Sequence, residues 1–332
     1  MFKRPRLSTP FALVNAPCAL AVLFFCAACS GPETSGSDQT NPAVSAAPAP
    51  QPLSFPAVWN TAALEGPLTS VGLAGAWGSR IAVTYASGDL QFFDFDGERL
   101  TDPIPLDVGS IGNGAFVDLS GTGVTVFPGI QTNGDLRLYI HAGDLDSPVV
   151  FDVDFSPDAP VLGLCSAAIA APDFGLMHIA YWTEADPRRL QTGRLIESGD
   201  TLAFVPEEII TSDHAVTTCL INADGADIFS DPVRAASALE RHGERFVLTL
   251  DSSGNLEEVD AEGDRRSIMV RDGLSVDMPA LPVDMAGTGD ARTGGYPGGL
   301  VVMIGEIRQG EFRAILIDPS ALTLARLPDG FR

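Results

Sequence analysis

The sequence predicts an all-β fold, and three observations predict it. Short runs of β-branched and aromatic residues recur from residue 57 onward, Gly-, Asp- and Pro-bearing turns separate them, and long helical periodicity is scarce. The clearest hairpin joins residues 80–85 (RIAVTY) to 90–95 (LQFFDF), with Ser87-Gly88 between them and Asp96-Gly97 closing the second run. Similar runs follow at 124–127, 136–141, 149–155, 176–182, 246–250, 299–304 and 312–317. Only 235–242 reads as a short helix or turn. Roughly fifteen to twenty such strands mean a sandwich, a barrel or a propeller. At about 40–50 residues per blade, a propeller over 57–332 has about six blades. A six-bladed β-propeller is therefore the favoured fold, with another large all-β sandwich or propeller as the alternative.

Ahead of this domain the chain reads as an export signal and a tether. Residues 1–6 (MFKRPR) carry three cations and no acid, and an apolar run over 11–28 follows, interrupted by Asn15 and Pro17. Basic start, short apolar run and small residues at its end describe a secretory signal peptide over 1–28. A membrane span needs about 20 apolar residues, and Pro17 breaks this one. Phe25-Cys26-Ala27-Ala28-Cys29-Ser30-Gly31 resembles a bacterial lipobox, with Cys26 where that pattern usually has Leu. The resemblance implies lipidation at Cys29, attachment to a membrane through the lipid, and an outer-membrane or periplasmic location. Ordinary cleavage after a small-x-small triplet is the alternative. Residues 29–56 are rich in Ser, Pro, Ala, Gly, Thr and Gln without apolar periodicity, as expected of a linker that cannot offset its ordering entropy.

Charge and cysteines narrow the chemistry. Removing Lys3, Arg4 and Arg6 with the signal takes the net charge from −23 to −26, and Lys3 is the only lysine. Nucleic acid is repelled by such a field. A phosphate ligand needs a metal ion or a local arginine cluster. Once Cys18 and Cys26 leave and Cys29 takes lipid, Cys165 and Cys219 remain, and an oxidising compartment invites a disulfide between them. No His stands near either at zinc-ligand spacing.

Six segments, in order, resemble the β-propeller phytases. Pro56-Ala57-Val58-Trp59-Asn60 resembles the family's opening "P-A-hydrophobic-W", and LQFFDFDG at 90–97 its "GLYVYDLDG". VLGLC at 161–165 resembles "VYGLC", and Thr217-Thr218-Cys219 stands where the family has "EGC". Leu281-Pro282-Val283-Asp284 with YPGGLVV at 296–302 resembles "DGID…FPxGLFVVQDG", and Glu311-Phe312-Arg313 sits at "NFK". The family implies six blades, paired cysteines at 165 and 219, and calcium-dependent hydrolysis of phosphate esters, in which clustered carboxylates hold several Ca²⁺ ions that activate water.

The chain departs from that pattern at the site. Thr217 replaces a Glu and Ile304 an Asp. Val117-Asp118-Leu119-Ser120 keeps the Asp of "VDVRY" and loses its Arg, and Pro128-Gly129-Ile130 stands for "TNR". Asp118 and Asp284 survive as candidate metal ligands, and Arg313 keeps a cation where the family has Lys. Function belongs to the site rather than the fold. The expectation is thus a cell-envelope lipoprotein with a degenerate phytase-like propeller that binds an unknown protein or a phosphorylated small molecule. The alternative is a calcium-dependent phosphomonoesterase with a reduced metal site.

Other motifs carry bland readings. His141, His178, His214 and His242 are scattered without i, i+4 pairs. His178 is expected as a packed strand residue and His214 as a loop residue. Asp94-x-Asp96-Gly97 lacks the later ligands of a calcium loop and reads as a hairpin turn. Trp59, Trp77 and Trp182 are expected in the core.

Overall fold

The structure, a computed structural model, describes residues 52–322 apart from 144, 146, 170–173, 200, 223–224, 242, 290–295 and 297. The signal, Cys29, most of the linker, His242 and Pro297 lie outside the described residues. Among the described residues the fold is all-β, with 23 strands in four sheets.

The opening strand, β1 (Leu53–Asn60), precedes six consecutive antiparallel units. The first is β2 (Leu68–Ala74), β3 (Arg80–Tyr85), β4 (Asp89–Phe93) and β5 (Ile104–Pro105), with a 3₁₀ turn at Ala76–Gly78. The second is β6 (Val108–Ile111), β7 (Ala115–Leu119), β8 (Thr122–Gln131), β9 (Leu136–His141) and β10 (Val149–Asp154). The third is β11 (Val161–Ala168), β12 (Met177–Thr183), β13 (Asp186–Ser198) and β14 (Thr201–Thr211). The fourth has only β15 (Thr218–Asn222) and β16 (Gly225–Phe229). The fifth is β17 (Val233–Arg241), β18 (Glu244–Asp251), β19 (Leu256–Val259) and β20 (Arg265–Arg271). In the sixth, β21 (Leu281–Thr288), β22 (Leu300–Arg308) and β23 (Glu311–Ile317) take β1 as their fourth strand.

Neighbouring units run in one sense. The outermost strands β10 and β14 pair in parallel, as do β1 and β20. The leading strands pack in a cycle: β2 on β6, then β11, β15, β17 and β21, which returns to β2. The cores lie between units. Val302 and Ile304 of β22 join Val71, Ile81 and Val83 of the first unit, while Val301 and Met303 join Leu248 and Leu250 of the fifth. A strand buried on both faces must read as a continuous apolar run, and LVVMI at 300–304 does.

Several expectations change. The folded part begins at Leu53 rather than 57, because residues 53–56 pair with Ile268–Arg271. Residues 235–241 are not helical; they belong to β17, where Val233, Ala235 and Leu239 are buried. Their small side chains suit close approach to β21: a Cβ on Gly287 would come within 2.7 Å of the Ser237 hydroxyl. Tertiary packing thus overrides the helix preference of Ala. Trp59 and Trp77 are exposed, and only Trp182 is a core indole.

Candidate functional site

Four of the residues singled out by sequence, Cys165, Thr217, Cys219 and Asp284, lie on or beside the leading strands and tie one unit to the next. Asp284 on β21 accepts hydrogen bonds from Val71 N on β2 (2.9 Å, Oδ2) and from Met285 N (2.8 Å, Oδ1). It therefore bonds the sixth unit to the first. Burial pushes its carboxyl up to about 6, against the pull of those two amides and the Arg234 charge. Arg234 on β17 donates to Pro282 O at 2.9 Å, joining the fifth unit to the sixth. Thr217, just before β15, donates from its hydroxyl to Val233 O at 2.5 Å, joining the fourth to the fifth. The Cys165–Cys219 disulfide, with Cα atoms 5.8 Å apart, joins the third to the fourth.

Sequence reasoning missed the remaining ties. Ser166 Oγ donates to Asn113 O at 2.7 Å between the third and second units. Between the second and first, Leu73 N donates to Asn113 Oδ1 (3.1 Å) and Ile111 N to Ser70 Oγ (2.9 Å). No spacing or motif marks Asn113, Ser166 or Ser70, since each partner lies 40 or more residues away.

Calcium is the metal the resemblance implies, and the residues present do not fit its polynuclear site. Ile304 lies opposite Asp284 in the β21–β22 register, fully buried among apolar side chains. Asp118 is exposed on β7 and accepts from Gly121 N at 2.7 Å, closing its own turn. Ser120, at φ 51°, donates from N and Oγ to Glu197. Residues 128–130 are buried inside β8. Arg313 is consumed by Glu311 (Nε, 2.7 Å) and Thr61 O (Nη1, 2.7 Å). Asp118 and Asp284 thus stand in different units, each satisfied by backbone amides. Among the described residues no group of three or more His, Cys, Asp or Glu is placed to hold a metal.

The other candidates resolve plainly. His178 is buried in β12 and His214 is an exposed loop residue. His141 is buried, stacked on Phe92 and approached by Arg80 Nε at 3.4 Å; burial and that cation push its pKa down. Asp94 closes a turn, its Oδ1 accepting from Asp96 N and Glu98 N. A cleft of about 460 Å³ opens between the outer strands of the fifth unit and the sixth, lined by Asn255, Glu257, Ser267, Met278, Pro279 and Met303, among others. Glu257 is ion-paired with Arg265 at 3.0 Å. No His or Cys lines this cleft.

No family model matches the chain, and no curated protein matches it. Among solved structures, a triple mutant of AofleA from Arthrobotrys oligospora aligns over 80% of this chain and 92% of its own, at 11% identity and a TM-score of 0.49. Raptor from Chaetomium thermophilum aligns over 80% of this chain and 29% of its own, at 7% identity and a TM-score of 0.45. Likenesses this distant bear on neither activity nor ligand.

Proposed function

We propose that this chain is a cell-envelope lipoprotein, anchored at Cys29, whose folded part is a six-bladed, phytase-like propeller acting as a binding module rather than a phosphatase. Six successive antiparallel units, the cyclic packing of their leading strands and the return of β1 to the last unit support the propeller reading. One observation carries the functional reading: Asp284 and Thr217 spend their oxygen atoms joining neighbouring units. A carboxylate that accepts one amide on each oxygen and sits opposite Ile304 has no carboxylate partner with which to bridge ions. The N-terminal basic-apolar-small pattern and a disulfide in the folded part fit an oxidising envelope compartment.

The test is hydrolysis of phytate and of p-nitrophenyl phosphate by the purified chain with millimolar calcium. The expected result is no release above a protein-free blank. Turnover that a chelator abolishes, and that Asp284→Ala removes, would overturn the reading.

A further inference from the structure

Among the described residues five Phe and Trp side chains are exposed, and four of them are at one end of the fold. Turns of successive antiparallel strands alternate between the two ends of a unit. The β2–β3 turn, the β6–β8 connection with β7, the β11–β12 connection and the β19–β20 turn therefore share an end. Trp77 (84% exposed), Phe116 (44%) and Phe174 (72%) lie on the first three of these. Hydrogen bonds and strand pairing make the rim continuous. Phe116 pairs in register with Thr125, whose hydroxyl donates to Gly78 O beside Trp77. The Ser120 turn is bonded to Glu197 at the end of β13, and Arg194 of β13 donates to Phe174 O. Trp59 (53%), the seventh of the eight residues of β1, lies against Gly97 in the turn that follows β4, which closes that end of the first unit on the same side.

The rim is held outward by the backbone. Ala76 adopts φ 59°, a left-handed conformation that side-chain-bearing residues rarely take, immediately before Trp77. An indole left in water by a strained turn is the reverse of core packing.

The chain itself says what could cover this end. Strand β1 is parallel to β20, with Leu53 opposite Ile268 and Pro56 opposite Arg271. β1 therefore runs away from the β19–β20 turn, and its N-terminal end is the one directed to the aromatic side. Cys29 lies 24 residues before Leu53, and a flexible linker of that length spans roughly 25–30 Å on average. A lipid at Cys29 would hold that side near a bilayer at high effective concentration, so weak apolar contacts suffice. Trp and Phe on a polar rim match the chemistry of the bilayer interface.

We infer that this end is a membrane-facing surface, with Trp77, Phe174, Phe116 and Trp59 entering the interface of a zwitterionic lipid layer; the inference rests on the lipoprotein reading. Charge selects the lipid. Asp96 and Asp118 are exposed on the same side and the chain is strongly acidic, so an anionic leaflet repels it.

The experiment uses the full mature chain in phosphatidylcholine vesicles whose acyl chains carry bromine near the headgroup. Mass spectrometry of the N-terminal peptide first reports whether Cys29 is lipidated. With a lipidated chain, the expected result is quenched, blue-shifted emission from Trp77 and Trp59, while buried Trp182 stays unquenched. Trp77→Phe should remove the larger share of the quenching without moving the thermal melt. Anionic vesicles should quench less, and added salt should narrow the gap. A lipidated, vesicle-bound chain with unquenched tryptophans sinks the membrane-facing surface, assigns the rim to a protein or other soluble partner, and leaves the lipoprotein reading standing. A chain without lipid on Cys29 sinks both.

Discussion

Asp284 is where the structural and metal-binding readings of one side chain predict opposite behaviour. A carboxylate with an ordinary value of 3.8 is raised to about 6 by burial in the folded chain. Unfolded, it ionises first, so between those two values the folded state holds a proton that the unfolded state lacks. The ionised group costs stability in full above pH 6, and that cost is relieved as pH falls from 6 toward 3.8. Asp284→Ala removes the acceptor of Val71 N, and leaving a buried amide unpaired costs about 1–3 kcal/mol. The mutant's deficit should therefore widen as pH falls from 7 to 4.5, measured as the difference in melting temperature from the wild type. A metal-bound or ion-paired carboxylate has a depressed pKa, and its mutant's deficit would widen as pH rises. Thr217→Val tests the neighbouring tie. It keeps the shape, loses the donor to Val233 O, and should cost about 0.5–1.5 kcal/mol in urea titration.

At the level of elements, the fourth unit is the thinnest, two strands where its neighbours have four. Its hairpin is stapled to the third unit by the Cys165–Cys219 bond across 54 residues. Chain entropy assigns a loop of that length about 4 kcal/mol, and measured bridges give about 2–4 kcal/mol. The Cys165→Ser/Cys219→Ser double variant should lose that much in denaturant titration, and adding reductant to the wild type should reproduce the loss. This pairing was legible, since only two cysteines remained to pair. Strands β3 and β9 were legible to the residue, because β-branched and aromatic runs end on Gly-bearing turns. Strand β17 was not, because Ala and Ser there answer to the crowding of β21 and leave no period-2 signal. The site was half legible. Asp284 was picked out by resemblance, yet its role depends on Val71, 213 residues away, and no spacing encodes that contact. Trp77 was misassigned because an indole in the sequence carries no mark of the turn that turns it outward.

At the scale of the whole molecule, the fold closes through its first strand. β1 pairs on one side with β23 and on the other with β20, so a single segment of eight residues satisfies two sheet edges that would otherwise be open. Loop-closure entropy grows only with the logarithm of length, so joining residues more than 200 apart adds little over a short closure. What β1 contributes is burial and edge protection. Phe55 and Ala57 are buried in the core shared by the fifth and sixth units. Removing a core Phe side chain costs about 3–5 kcal/mol, and Phe55→Ala should lose that much. Deleting residues 1–60 should do more than lower the melting temperature: exposed edges on β20 and β23 are templates for pairing with a second chain. Light scattering should then show concentration-dependent association, while a chain beginning at residue 52 should stay monodisperse and keep the wild-type melt. If the chain lacking residues 1–60 were equally stable and monomeric, closure would have to come from the β2–β21 packing alone, with β1 an ornament on the last unit.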